Sequence, residues 1–325
     1  MRQSVRNLAF TIAWILATVT QALHAQSYPV KPIRFVVPFP AGGATDVVAR
    51  AIGQKLNESM GQLIIVDNRP GAGGNIGAEL VATALGDGYT LLVCSPAEVA
   101  INVSLYKKMP YDPVKDFAPV TLATSAPLVL VVPPTLPVRS VKDLIALARS
   151  RPGQLTYASS GSGGPQHLAG ELFKMMAQID MVHVPYKGGA PAITDLLGGH
   201  VQLFFAGLPP ALPHIRANKL RALAVTSEKR TQILPSAPTI SESGLKGFAV
   251  DNWQGVLAPV NTPKEIVAKL NSEIAKVLQI PDLKQRLLDA GAEPVGSSQQ
   301  QFAAYIKSEI DKYAQIIRKS GATVD

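Results

Sequence analysis

Three turns in this 325-residue chain combine glycines with hydroxyl or ionisable side chains, each directly after a strand-like run. They are Pro40-Ala41-Gly42-Gly43-Ala44-Thr45-Asp46, Ser159-Ser160-Gly161-Ser162-Gly163-Gly164 and Tyr186-Lys187-Gly188-Gly189. A fourth, Pro70-Gly71-Ala72-Gly73-Gly74-Asn75, precedes a helix-like stretch from Ile76. Glycine lets a backbone approach a ligand closely, and unpaired N–H groups at a helix start, with the helix dipole, favour negative charge. All four turns therefore suit an anion. Thr45 and Asp46 have a second reading as caps of the first helix, where an ionised Asp46 neutralises the helix end rather than binding a cation.

Sharper chemistries fail on spacing. A nucleotide-binding P-loop needs a lysine after its glycines, and the first turn has none. Gly71-Ala72-Gly73 and Gly161-Ser162-Gly163 begin a dinucleotide fingerprint, but Ile76 and Gln166 stand where its third glycine belongs. Ser159, Ser160 and Ser162 sit near His167, yet none lies in the G-x-S-x-G setting of a nucleophile elbow. An exported hydrolase-like enzyme stays as the alternative reading. His167, His183, His200 and His214 share no ligand spacing, and Cys94 is the lone cysteine, so no metal site, cofactor or disulfide framework is expected. His183 alternates with Val182 and Val184 and reads as structural. The residues describe a site that binds, with no catalytic residue.

The elements that must position these turns read as α/β. Strand-like runs at Ile33–Pro38, Gln62–Val66 and Tyr89–Cys94 flank helical spacing at Val48, Ile52 and Leu56, closed by Gly61. Pro119–Thr124 and Leu128–Val132 leave no room for a helix between them. A second α/β series follows: a helix opened by Ser140-x-x-Asp143, strands at Leu155–Ala158, Met181–Pro185, Val201–Ala206 and Leu220–Thr226, and helices at 166–177 and 190–197. Gly255–Pro259 is a last extended run, and the tail from Pro263 to Ser320 is helical, with Phe302, Ile306, Ile310, Tyr313 and Ile317 on one face. Two α/β units joined by two extended crossings make a two-lobed cleft. Lobe 1 is expected at 26–120 plus 256–325 and lobe 2 at 121–255.

Apolar residues at 47% against 17% charged suit a globular core. Residues 1–25 read as a secretory signal peptide: Arg2 and Arg6, an apolar run from Leu8 to Val19, then small residues ending at Ala25. Removing both arginines lowers the formal charge from +8 to +6. The remaining cations are scattered without aromatic interleaving, which excludes nucleic acid and leaves a mild positive field for a small anion.

Long motifs then carry a resemblance. PFPAGGATDVVAR, VDNRPGAGGNIGAELVA, the Pro110–Pro119 stretch, YASSGSGGPQHLAGELF, VPYKGGAPAITDLLGGHVQLFFAG and LRALAVTS resemble, in order and spacing, the Bug family of extracytoplasmic solute receptors of tripartite tricarboxylate transporters. The resemblance spans the chain from about Tyr28 onward. It implies a type II-like periplasmic binding protein, monomeric, that closes on a small organic carboxylate and delivers it to a membrane permease, or alternatively to a signalling sensor. By motif, Ala41, Gly42, Gly43, Thr45 and Asp46 would form one jaw. Ser159, Ser160, Gly161, Ser162 and His167 would form the other, with Tyr186, Lys187 and Gly188 beside it. Lys187 has a second reading as a solvated surface charge. Gly164-Pro165 departs from the many relatives with a hydroxyl residue after the serine/glycine loop. Trp253 is a candidate hinge or cleft aromatic, with a packed structural role as its default.

Overall fold

A computed structural model describes residues 28–323, so the signal-peptide segment lies outside the described residues. The chain opens with β1 (Ile33–Val37), α1 (Ala44–Met60), β2 (Ile64–Asn68), α2 (Asn75–Ala82) and β3 (Thr90–Cys94). β1 pairs in parallel with β2 and with β3. Val48, Ile52 and Leu56 of α1 are buried against Phe35, Leu91 and Val93, so the apolar stripe in the sequence is the face laid on this sheet. Gly61 closes α1 in the left-handed conformation.

After β3 the chain makes a π-helical turn at Ala97–Ile101 and a single helical turn, α3 (Asn102–Leu105). β4 (Phe117–Ser125) then crosses to β5 (Leu128–Val132). The second series is α4 (Val141–Ser150), β6 (Thr156–Ser159), α5 (Pro165–Ala177), β7 (Val182–Pro185), α6 (Gly189–Leu197), β8 (Leu203–Gly207), α7 (Leu208–Arg216) and β9 (Arg221–Val225). The return is β10 (Gln254–Pro259), followed by α8 (Lys264–Val277), α9 (Pro281–Asp289), β11 (Glu293–Pro294) and α10 (Gln299–Ser320). The strands form two sheets, ordered β11-β4-β10-β3-β1-β2 and β7-β6-β8-β5-β9.

Two segments cross between the sheets, and they are tied to each other. Asp251 accepts hydrogen bonds from the Ser125 hydroxyl and, at 2.7 Å, from the Ala126 amide. The Asn252 amide donates to the Ala126 carbonyl at 3.1 Å. Burial raises the Asp251 carboxyl to about 6, against the opposing effect of those bonds. β4 stays in the first sheet as far as Ser125.

The tail differs from one continuous helical run. β11 interrupts it and pairs antiparallel with the end of β4, Glu293 against Ser125. α10 then bridges the two sheets rather than serving one. Its Phe302 and Ile306 pack with Trp253 against the first sheet, and its Tyr313, Ile316 and Ile317 pack with Tyr157 and Phe173 on the second. Trp253 is fully buried, donates from Nε1 to Glu309 at 3.0 Å, and meets the Phe302 ring edge-on. Its role is packing at the crossover. No helix among the described residues is long and apolar enough to cross a membrane.

Candidate functional site

Parallel strands deliver their C-terminal ends, and the loops that follow, to one side of a sheet. Here the loops after β1, β2 and β3 face those after β6 and β7 across a cavity of about 680 Å³. Seven of the residues singled out in the sequence line it: Ala41, Gly43, Thr45, Ser160, Gly161, Ser162 and Gly188. Six do not: Gly42, Asp46, Ser159, His167, Tyr186 and Lys187. The structure shows what most of these six do instead.

Asp46 is buried and braces the first loop. It accepts from the Gly42 amide at 2.9 Å, from Arg50 Nε at 2.9 Å and from Asn68 Nδ2 at 2.9 Å, while Asn68 also donates to the Phe39 carbonyl. Burial would raise the Asp46 carboxyl, but these bonds outweigh it and hold the group below the ordinary carboxylate range. Gly42 takes φ +82°, a left-handed value that a side chain would strain, and this turns its amide inward to Asp46. Ser159 is fully buried; its hydroxyl donates to the Gly161 carbonyl at 2.9 Å and lies 2.7 Å from His183 Nε2. His167 accepts from the Gly163 amide at 3.0 Å. Tyr186 donates to Asp195 at 2.7 Å, and Lys187 is exposed.

The remaining walls come from residues the sequence reading did not assign. Ser95, Ala97, Asn102 and Tyr106 follow β3, Gly73 follows β2, and Asn252 sits on the crossover. Ser95 directly follows the C-terminal end of a parallel strand, which is the one positional signal that marks it in advance. Asn102 donates to the Gly73 carbonyl at 3.0 Å and to Asn75 at 2.8 Å, locking two of these segments together. Behind Ser95, the fully buried Glu98 accepts from the Ser95 amide at 2.5 Å and the Ser95 hydroxyl at 2.7 Å. Burial pushes Glu98 up to about 7, against the pull of those bonds.

The electrostatics of the cavity come from backbone. Tyr106 aside, no described lining side chain is ionisable. Three helices start at its edge, capped by Gly43 (α1), Gly164 (α5) and Gly188 (α6), and no cap makes a side-chain hydrogen bond to its helix. Each start presents N–H groups without intrahelical partners and a dipole equivalent to roughly +0.5 charge. Three together sum to roughly +1.5, most of the charge that balances a dianion. Phe39, Ala97, Leu105 and Tyr106 supply apolar wall between them.

Known proteins share this architecture. The profile of the Tripartite tricarboxylate transporter family receptor matches residues 48–322. The chain belongs to this family. The receptor is 39% identical to Protein BugT of Bordetella pertussis over 322 residues, 98% of this chain and 99% of that one. Rpa4515 of R. palustris, solved with adipate, is 41% identical with a TM-score of 0.79, covering 91% of this chain and 99% of its own. MatC of Rhodopseudomonas palustris, solved with malate, is 34% identical with a TM-score of 0.74, covering 89% and 100%. The family consists of periplasmic solute-binding receptors rather than enzymes, so the hydrolase alternative falls.

Proposed function

We propose that the receptor captures a small organic carboxylate, best a dicarboxylate with an apolar spacer, between two lobes and presents it to a tripartite-type permease. The observation that carries this reading is the meeting of three helix starts, each with a glycine cap, on a cavity without a charged side chain. Fixed backbone dipoles compensate anionic ends, and Phe39, Leu105 and Tyr106 face the carbon skeleton between them. The adipate and malate bound by Rpa4515 and MatC support the same ligand class. Ala41, Gly43 and Thr45 act as one jaw, and Ser160, Gly161, Ser162 and Gly188 as the other. Asp46, Ser159 and His167 hold the loops without touching ligand. The lobe bounds expected from the sequence, 26–120 with 256–325 and 121–255, shift to the crossings at Ser125–Leu128 and Asp251–Gln254, about which the lobes move, because β4 as far as Ser125 and β10 from Gln254 pair within the first sheet. The signal peptide is removed on export, and the mature receptor works as a monomer.

Calorimetric titration of residues 26–325 with adipate, malate, acetate, phosphate and sulfate tests this. Saturable one-to-one binding of a dicarboxylate is expected, with about 2.7 kcal/mol of added stability at a hundredfold excess over Kd. Phosphate or sulfate binding more tightly than every carboxylate would overturn it.

A further inference from the structure

The serine loop of the cavity rests on two histidines. At one end of the loop the Ser159 hydroxyl donates to the Gly161 carbonyl at 2.9 Å, accepts from the Gly161 amide at 3.2 Å and meets His183 Nε2 at 2.7 Å. With its single hydrogen directed at Gly161, the hydroxyl accepts from His183, which places a proton on Nε2 of that ring. At the other end the Gly163 amide donates to His167 Nδ1 at 3.0 Å, which leaves the His167 proton on Nε2. The two rings stack, with centroids 3.9 Å apart and planes 10° from parallel. Tyr157 extends the column at 4.9 Å from His183. One histidine comes from α5 and the other from β7, so the stack joins two elements beneath one loop.

We propose that His167 and His183 are positioning residues of the receptor: as a neutral stacked pair they clamp both ends of the Ser160–Gly164 loop and preset its backbone for the ligand. Gly163 takes φ +77°, so the loop holds a turn whose amide must be anchored to stay aimed. The groups facing the rings are Tyr157 and Ser159 from β6 and Glu171 and Lys174 from α5. Glu171 is already engaged, by the Tyr157 hydroxyl at 2.5 Å and by Lys174 at 3.1 Å. Burial, the neighbouring ring and Lys174 together press His183 down to about 4, and burial also lowers His167. A proton on His167 Nδ1 would occupy the position that accepts the Gly163 amide. A second charge on His183 would face the first across the stack.

Two ligand-free measurements decide the proposal, and only the third arm rests on the proposed function. In the wild type, imidazole ¹⁵N shifts should show His183 still neutral at pH 6, and His167 titrating below the ordinary histidine value of about 6.5 with its proton on Nε2. His167→Ala should speed amide exchange at Gly163 about tenfold relative to amides of the first sheet, the loss expected for about one hydrogen bond. His167→Asn, which keeps an acceptor at that position, should restore most of the protection. In the third arm, His183→Ala should weaken adipate binding about tenfold and His183→Gln should recover it, as loss and recovery of about one hydrogen bond. Histidines titrating at their ordinary value, or Gly163 exchange unchanged in His167→Ala, would overturn the proposal. Wild-type protein that ignores adipate would count against the ligand reading alone, with exchange and titration still deciding the clamp.

Discussion

Glu98 is a carboxyl with no cation beside it, buried under the cavity wall and bonded only to Ser95 on its acid group. Its folded value of about 7 lies above the roughly 4.3 of an unfolded chain. Between those values the unfolded chain releases its proton first, so stability present at pH 4 is lost as pH rises through 7. Glu98→Gln removes that dependence. Denaturant unfolding should show the variant gaining on the wild type by about 1–3 kcal/mol between pH 5 and pH 8; parallel pH profiles would contradict it. Residues of this kind were not legible beforehand. The glycines and hydroxyls of the loops were, because their types mark anion-binding turns. Which of them face inward was not, because Asp46, Ser159 and His167 spend their polar atoms on Gly42, Gly161 and Gly163, a choice fixed by loop geometry rather than by residue type.

At the scale of elements, the receptor places three helix starts at the cavity and no arginine or lysine side chain. An uncapped start is a free anion site, and a side-chain carboxylate put there should compete for it. Gly164 has ordinary φ of −80°, and a Cβ there would make ordinary contact with Gln166 Oε1 at 3.5 Å and the Gly161 carbonyl at 3.9 Å, without a clash. Gly164→Asp should therefore keep or slightly raise the melting temperature, by a few tenths of a kcal/mol of capping, while adipate affinity falls at least about tenfold through like-charge competition. Affinity unchanged in a folded variant would remove α5 from the site. Most elements were readable from apolar period and glycine or proline boundaries. α7 has no counterpart in the sequence reading, since Pro209, Pro210 and Pro213 interrupt the helical pattern of Leu208–Arg216, although two of them fall in the first turn, where a missing N–H costs nothing. β11 was not, since two residues carry no period, and its pairing with β4 is set from outside the segment.

Across the whole molecule, a second contact outside the cavity lining joins the two lobes. Glu293, in the edge strand of the first sheet, accepts from the Thr231 hydroxyl and from the Gln232 amide at 2.7 Å. A lobe rotation that breaks or forms this contact acts on the same equilibrium as the ligand. The two crossings were legible because Pro119–Thr124 and Leu128–Val132 leave no room for a helix. The bridging by α10 was not, because its one apolar face serves both sheets without a break in period. The central claim is that backbone at facing helix starts holds the carboxylate. A crystal structure of the mature receptor with adipate tests it most directly. The account predicts carboxylate oxygens about 2.7–3.2 Å from N–H groups at the starts of α1 and α5, with the two sheets' loops drawn together. Adipate held by arginine or lysine side chains elsewhere, with these helix starts facing only water, would contradict it.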